Sequence, residues 1–182
     1  MEIFVSSSFL HGVTTKHFPI PWMAREPACF ALRLFAPLTL GIMAGFFFAF
    51  SNPVMMAFQH LEAGIFIQAF NGINISVRNG IFFAAFFAPL TALLGAAFVD
   101  RHSRPLWISA LLIYAIVVIQ TRMVNVPINE VFKTVLTDIP SDWKELRDRW
   151  AVSNLIRTVL TTIAFFLALL AATRHGERRT NV

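Results

Sequence analysis

The sequence predicts an all-α integral membrane protein: a four-helix bundle with an extramembrane amphipathic helical segment between spans 3 and 4. Hydrophobic residues make up 57% of the 182 residues and charged residues 14%, whereas a soluble domain carries about a quarter charged residues. Four apolar stretches match the ~20 residues with which a helix crosses a bilayer. The predicted spans are residues 34–51, 80–99, 106–125 and 153–173.

Charge and cysteine content narrow the class further. The net charge is +5, but no basic run interleaves with aromatic residues, so anionic lipid headgroups are the expected counter-charge rather than nucleic acid. Cys29 is the single cysteine, which excludes an intramolecular disulfide and a cysteine-based zinc site. The lipid bilayer is therefore the predicted partner, and the oligomeric state stays open.

Residues 1–33 are predicted to form an N-terminal arm that lies on the surface or is loosely ordered. Residues 1–10 include Glu2 and have no basic start, which disfavours a cleaved signal peptide. At the other end of the chain, residues 175–182 form a basic tail.

The first span opens a stretch without charge that extends over residues 34–61. Pro53, preceded by Ser51 and Asn52, is predicted to break the helix, because proline removes a backbone donor and clashes with the preceding turn. Gly41 and Gly45, followed by Ala49, form a small-residue stripe that favours close approach of another helix.

Residues 62–79 mix polar and apolar side chains and are predicted to form an interfacial or re-entrant segment. In the second span, Pro89 should produce a kink, and a neighbouring helix would have to satisfy the carbonyl that it frees. Residues 100–105 are interpreted as a solvated hairpin.

The third span has no charge before Arg122 and either kinks at Pro127 or ends there and restarts. The apolar spacing of residues 128–136 then predicts an amphipathic helix. Ser141 is a suitable N-cap for the last helix. One face of that helix carries a polar and aromatic row as it enters the fourth span: Trp143, Arg147, Trp150, Asn154, Arg157 and Thr161.

A functional site is predicted at one end of the bundle. With four crossings, the connection between spans 1 and 2 and that between spans 3 and 4 lie on the same side of the membrane. Most polar residues near the spans belong to that side, namely His60, Asn74, Asn79, Arg122, Asn125, Asn129, Trp150, Asn154 and Arg157.

Arg122 and Arg157 are the most informative of these residues. A charged side chain at the bilayer centre costs ~2.5–3.5 kcal/mol on insertion scales, and no acidic residue lies in any predicted span. Either the two arginines reach outward to the headgroups, or they are buried and need asparagine side chains, freed carbonyls near Pro127 or an anionic ligand as partners. For Arg157 a polar lining is favoured, because Trp150 and Asn154 share its helix face.

His60 has two interpretations. It is a candidate general base, because an imidazole titrates near neutral pH. Alternatively, it is a solvated residue at the membrane interface. Glu62 lies two positions away and would not face it on a helix. Too few further ligands are present there for a metal ion, so no metal site is predicted.

Four motifs carry a family resemblance. They are Gly41-x-x-Ala44-Gly45-Phe46-Phe47-Phe48-Ala49-Phe50, Ile73-Asn74-x-x-x-x-Asn79, Asn125-Val126-Pro127-x-Asn129 and Trp150-x-x-x-Asn154-x-x-Arg157-Thr158. With these motifs the chain resembles, over residues 34–173, the membrane family named for the fungal anthrone oxygenases. It departs from the family pattern at Asn79-Gly80, where Asn-Pro is usual.

The resemblance implies an oxidoreductase, a monooxygenase that oxidises a lipophilic anthrone-like aromatic without a known metal or flavin cofactor. Such chemistry needs a base and a cationic or N–H-rich pocket for the enolate oxygen. His60 is the candidate for the base, and Arg157 with the asparagines is the candidate for the pocket. The substrate-binding residues would be Asn74, Arg122, Asn125, Asn129, Trp150 and Asn154. The competing hypothesis is a non-catalytic membrane protein that binds a lipophilic small molecule or scaffolds a partner.

The distribution of basic residues predicts the orientation in the membrane. Near the span ends, seven arginines lie on the side of the two termini, against five arginines and lysines on the other side. Cytoplasmic loops are enriched in such residues, so both termini are predicted to be cytoplasmic, with the protein in the plasma membrane.

Overall fold

The computed structural model of the chain describes residues 25–135 and 139–174, and all regular structure in these ranges is helical. In chain order the elements are α1 (Arg25–Ala49), a first π-helical segment (Phe50–Val54), α2 (Met55–Phe58), α3 (Ala63–Val77), α4 (Gly80–Val99), α5 (Arg104–Gln120), a second π-helical segment (Thr121–Asn125), α6 (Val126–Thr134) and α7 (Trp143–Thr173). The predicted all-α fold is confirmed.

Four helical stretches are long and apolar enough to cross a membrane: Cys29–Phe58, Gly80–Val99, Arg104–Thr134 and Trp143–Thr173. They form a closed ring, because α1 packs against α4 and α7, and α5 packs against the same two helices. Large apolar side chains on the outside of this ring are exposed, among them Leu38, Phe98, Leu112 and Phe166. Such a surface suits lipid, and the chain is an integral membrane four-helix bundle.

The interior of the bundle combines bulky and small side chains. Trp107, Tyr114 and Leu93 are fully buried, and α7 faces them with alanines such as Ala164 and Ala168. Small residues let helices approach closely where lipid provides no hydrophobic driving force between them. Of the two glycines in the predicted small-residue stripe, Gly41 is in close contact, since a Cβ there would lie 3.2 Å from the ring of Phe165, whereas Gly45 has open space.

A second core lies at one end of the ring, where the short helix α3 packs against α6. Phe66, Phe70 and Phe132 form edge-to-face or tilted ring contacts with centroids 5.3 to 5.4 Å apart. Trp150 from α7 joins this cluster through Phe70. The segment predicted as interfacial or re-entrant is thus a helix fixed to the polar end of the bundle by aromatic contacts.

Helix α1 differs from the prediction at both ends. It begins at Arg25, so the predicted boundary of the arm at residue 33 is wrong; residues 1–24 lie outside the described residues, as does the predicted basic tail from residue 175. The predicted break at Pro53 is also wrong. The helix continues through the first π-helical segment, whose wider turn accommodates a residue that lacks a backbone N–H.

The expectation that residues 100–105 form a solvated hairpin is wrong for Asp100 and Ser103, which are buried, whereas Arg101 and His102 are exposed. The side chain of Asp100 is buried and lies 3.3 Å from Nε of Arg33. The oxygen of Asp100 next to Arg33 is Oδ2, and Trp107 donates its indole N–H to the same oxygen at 3.2 Å. The other carboxylate oxygen, Oδ1, accepts from the backbone N–H of Ser103. The predicted arm includes Arg33, so the sequence did not indicate Arg33 as a buried partner of Asp100.

Pro89 and Pro127 lie within the second and third spans, where each removes a backbone donor. Tyr114 donates its hydroxyl to the carbonyl of Phe86 at 2.8 Å, three residues before Pro89. The carbonyl that Pro89 frees is that of Ala85, four residues before it, and its support by a neighbouring helix stays a prediction. Pro127 directly follows the second π-helical segment, and the wider turn accommodates a residue that lacks a backbone N–H. The third span neither ends nor restarts but continues through the second π-helical segment.

Candidate functional site

A cavity of about 580 Å³ lies at the polar end of the bundle. It is bounded by the end of α1, by α3 and α4, by the second π-helical segment with α6, and by α7. Aromatic rings form much of its wall: Phe46, Phe50, Phe70, Phe82, Phe83, Phe86, Phe87 and Trp150.

Seven of the eight predicted site residues line this cavity, namely Asn74, Arg122, Asn125, Asn129, Trp150, Asn154 and Arg157. The eighth, His60, is not among the lining residues. It is exposed, in the turn between α2 and α3. The structure therefore brings the asparagines, the two arginines and the tryptophan together, and leaves the proposed base outside; the roles of these residues stay predictions.

Arg157 is the buried charge of the site, with 6% of its surface exposed. Its Nη2 donates to Oδ1 of Asn154 at 2.7 Å and its Nη1 to Oγ1 of Thr121 at 3.2 Å. The guanidinium carbon lies 4.6 Å from the centre of the Phe47 ring and 5.5 Å from that of Trp150. Within the described ranges no carboxylate lies within 4.0 Å of it, so its charge is held by dipoles and rings only.

Asn154 is oriented by the first π-helical segment. Its Nδ2 donates to the carbonyl of Phe47 at 2.9 Å and to Oγ of Ser51 at 2.7 Å. Ser51 also lies 2.9 Å from the hydroxyl of Thr158, one turn further along α7. Because both donor positions are used, the side-chain oxygen of Asn154 faces Arg157 and fixes its Nη2.

Asn125 occupies the second π-helical segment and is 1% exposed. Its Oδ1 accepts from Ser153 at 2.8 Å, and Ser153 in turn accepts from Gln120 at 2.9 Å. Its Nδ2 and the Nε of Arg157 have no hydrogen-bond partner among the described residues. Buried donors are nearly always paired, and both residues line the cavity, so each retains a donor for an acceptor.

Polar contacts join neighbouring elements at the mouth of the cavity. Glu130 on α6 accepts from Arg78 at 2.6 Å and from Lys133 at 3.3 Å. Trp150 donates its indole N–H to Oδ1 of Asn129 at 2.8 Å. Asn74 donates to the carbonyl of Phe70 in its own helix, so the amide of Asn74 is partly engaged by the backbone.

Several residues of the site were not predicted. Ser51, Thr121 and Ser153 are single hydroxyls inside apolar runs, where a bond to the backbone of the same helix is the usual interpretation. Thr121 does donate to the carbonyl of Val117 at 2.8 Å, and this leaves its oxygen free to accept from Arg157. Asn79 is structural instead, because its Oδ1 caps the first turn of α4 at the N–H of Phe82.

Metal-binding side chains are not clustered in the part of the chain that the structure describes. No group of three His, Cys, Asp or Glu residues there is arranged to hold an ion.

Comparison with known proteins gives one family. A sequence model of the anthrone oxygenase family matches residues 75–167, just over half of the chain. The match extends from the end of α3 to α7 and is narrower than the predicted range of 34–173, so the motif of the first span and Asn74 lie outside it. No curated protein and no solved structure matches the chain. Because the matched segment exceeds half of its length and contains Asn125, Asn129 and Arg157, the chain belongs to the anthrone oxygenase family.

Proposed function

We propose that the protein is a membrane oxygenase that converts a lipophilic, anthrone-like aromatic ketone into a quinone with O₂ as the only co-substrate. In this reaction a ring CH₂ group becomes C=O. One atom of O₂ forms the new carbonyl, and the other leaves as water with the two hydrogens. The observation that supports the proposal best is Arg157, which is buried at the aromatic cavity without a carboxylate partner among the described residues.

The chemistry of the substrate explains the need for such an arginine. Loss of a proton from the CH₂ group gives an enolate whose charge rests largely on the ketone oxygen, and this electron-rich species reacts with O₂. Donors placed around that oxygen stabilise the developing charge strongly in a site that excludes water. Nε of Arg157 and Nδ2 of Asn125 are buried donors without a partner in the described ranges, and both residues line the cavity.

The size and lining of the cavity suit a flat aromatic molecule. Pockets for small molecules measure about 300–1,000 Å³ and are mostly apolar with few polar groups, and this cavity has about 580 Å³. Its phenylalanine rings offer faces and edges for ring contacts. Trp150 stands between the aromatic and the polar parts, since it packs against Phe50 and donates to Asn129.

We propose a proton acceptor other than the predicted His60. His60 is exposed and does not line the cavity, so its role as a base has no geometric support. Among the described lining residues Glu130 is the one carboxylate, and it is engaged by Arg78 and Lys133. We therefore assign the main contribution to Arg157, which makes the substrate C–H more acidic by stabilising the enolate, with the proton passing to water at the mouth.

Oxygen labelling tests the reaction type. The purified protein in lipid nanodiscs would be supplied with 1,8-dihydroxyanthrone under ¹⁸O₂, and the spontaneous oxidation in empty nanodiscs would be subtracted. An oxygenase gives a quinone with one ¹⁸O in its new carbonyl, at a rate above the background. Tight binding of the anthrone without any acceleration would instead favour the non-catalytic binding protein.

The orientation in the membrane is part of the proposal. We infer that both termini face the cytoplasm and that the cavity opens toward the other side of the plasma membrane. The excess of seven arginines over five basic residues supports this orientation.

A further inference from the structure

The charges on the cavity wall are unevenly neutralised. Three arginines and one glutamate line it: Arg78, Arg122, Arg157 and Glu130. The carboxylate of Glu130 is used by Arg78 at 2.6 Å, with Lys133 as a further partner. Within the described residues, this leaves two lining arginines, Arg122 and Arg157, without a carboxylate within 4.0 Å.

Arg157 contacts the residue that precedes Arg122, but the two arginines differ in exposure. Arg157 donates to Oγ1 of Thr121, the residue before Arg122. Arg157 is buried, whereas Arg122 is exposed on the second π-helical segment and makes no hydrogen bond or ion pair with any residue in the described ranges. Both guanidinium groups line one cavity and have no carboxylate partner among the described residues, so a ligand with two negative groups could pair with both.

The exposed part of the lining marks the mouth of the cavity. Phe83 and Phe87 on α4 line it and are 48% and 46% exposed, and Arg122 is exposed on the same cavity. Large exposed rings on a spanning helix face lipid. A molecule that enters here passes its apolar part between aromatic rings, and an acidic group at its outer end meets Arg122.

We propose, on the basis of the oxygenase function above, that the substrate is an aromatic ketone with a separate carboxylate, and that Arg122 binds this carboxylate at the mouth while Arg157 holds the ketone oxygen inside. A guanidinium presents parallel N–H donors that match the two oxygens of a carboxylate. Arg122 is therefore a specificity-determining residue, and Arg157 acts on the reacting part of the molecule.

The test compares two probes in the absence of oxygen. Anthrone and an anthrone with one ring carboxylate are titrated into the protein in phosphatidylcholine nanodiscs, and Kd is measured by quenching of tryptophan fluorescence. We expect the wild type to bind the carboxylate probe about tenfold more tightly, the range of a charge-assisted hydrogen-bonded pair. Arg122→Gln should abolish this preference and leave the Kd of plain anthrone within about twofold. Arg149→Gln, which removes an equal charge from an exposed position on α7, should retain the preference.

Each other outcome overturns the inference. A wild type without preference, or a preference that survives in Arg122→Gln, shows that no carboxylate is bound there. If Arg122 holds a lipid phosphate instead, the wild type retains phosphatidylglycerol from mixed nanodiscs and Arg122→Gln does not, without any preference between the probes. The anaerobic titration needs no turnover. A preference retained by a protein that fails to oxidise anthrone would therefore contradict the oxygenase function and leave the carboxylate site standing.

Discussion

The side-chain oxygen of Asn154 contacts the guanidinium of Arg157 without neutralising its positive charge. Its amide nitrogen is held by Phe47 and Ser51, and its oxygen lies 2.7 Å from Nη2 of Arg157. An asparagine in this place directs the guanidinium and leaves its charge available for a ligand, whereas an aspartate would neutralise it.

We predict that Asn154→Asp reduces the rate of quinone formation by about tenfold or more, because the new carboxylate pairs with Arg157 and competes with the enolate. The carbonyl of Phe47 loses its donor, but the fold should persist, because the new ion pair with Arg157 and a bond from the hydroxyl of Ser51 to the aspartate offset this loss. Asn129→Asp is the matched control. It places the same charge on the cavity wall while still accepting from Trp150, and it should stay within about threefold of the wild type. Equal losses in both variants would show that any added negative charge is harmful and that the contact with Arg157 is not special.

At the scale of residues, periodicity predicted side chains that the structure places on the cavity wall, whereas His60 lies outside it. Trp150, Asn154 and Arg157 follow at helical spacing, so a shared face was predictable from the sequence alone. His60 was placed by counting membrane crossings. That argument fixes the side of the membrane but not the direction in which a residue in a turn faces, and the turn leaves His60 exposed.

The two π-helical segments are the elements that build the site. One presents Ser51 to Asn154, and the other carries Thr121, Arg122 and Asn125. A π-helical turn adds one residue to an α-helix and often marks a functional site. Sequence reasoning expected interruptions here because Pro53 and Pro127 signal helix ends. It could not foresee a widened turn, which keeps the helix continuous and displaces the side chains within it.

Removal of one residue from the second π-helical segment tests this role. We predict that deletion of Met123, whose side chain is 71% exposed, combined with Pro127→Ala, converts Thr121–Asn125 into regular α-helix and preserves the register of α5 and α6. Thr121 and Asn125 then change position relative to Arg157, and quinone formation should fall by about 10- to 100-fold, as expected for misplacement by about 1 Å. Melting in detergent should shift by only a few degrees.

Pro127→Ala alone is the control for that deletion and should remain within a few-fold of the wild-type rate. A deletion variant that melts normally and oxidises anthrone at the wild-type rate would show that the widened turn is not needed for the site.

At the scale of the whole molecule, the two ends of the bundle differ in how their buried charges are neutralised. At the end where α4 meets α5, Asp100 has its buried charge satisfied by Arg33 and by Trp107. At the other end, Arg157 lacks a carboxylate among the described residues and lines a cavity. Composition and apolar run length predicted the number of spans correctly, because lipid imposes length and hydrophobicity directly on the sequence. They did not predict the buried pair of Arg33 and Asp100, which depends on how far α1 extends.

Reporter fusions test the orientation of the bundle. We predict that a reporter active only in the cytoplasm works when fused after Val182 and fails when inserted at residues 139–142, because basic residues are retained on the cytoplasmic side. An active insertion at residues 139–142 with an inactive C-terminal fusion would reverse the orientation. It would also place the mouth of the cavity on the cytoplasmic side.

Replacement of Arg157 by alanine, with stability and activity measured on the same samples, tests the central claim most directly. An arginine that awaits an anionic ligand has no buried carboxylate to leave unpaired. We therefore expect Arg157→Ala to melt in detergent close to the wild type while quinone formation falls by about 10²-fold or more, as for the loss of one donor to an oxyanion. Arg157→Lys should recover only part of the rate, because an ammonium lacks the planar fork. Asp100→Ala provides the contrast, since removal of one partner of a buried pair destabilises by about 3–5 kcal/mol. An Arg157→Ala protein that unfolds like Asp100→Ala, or one that keeps the wild-type rate, would contradict the assignment of Arg157 to the substrate.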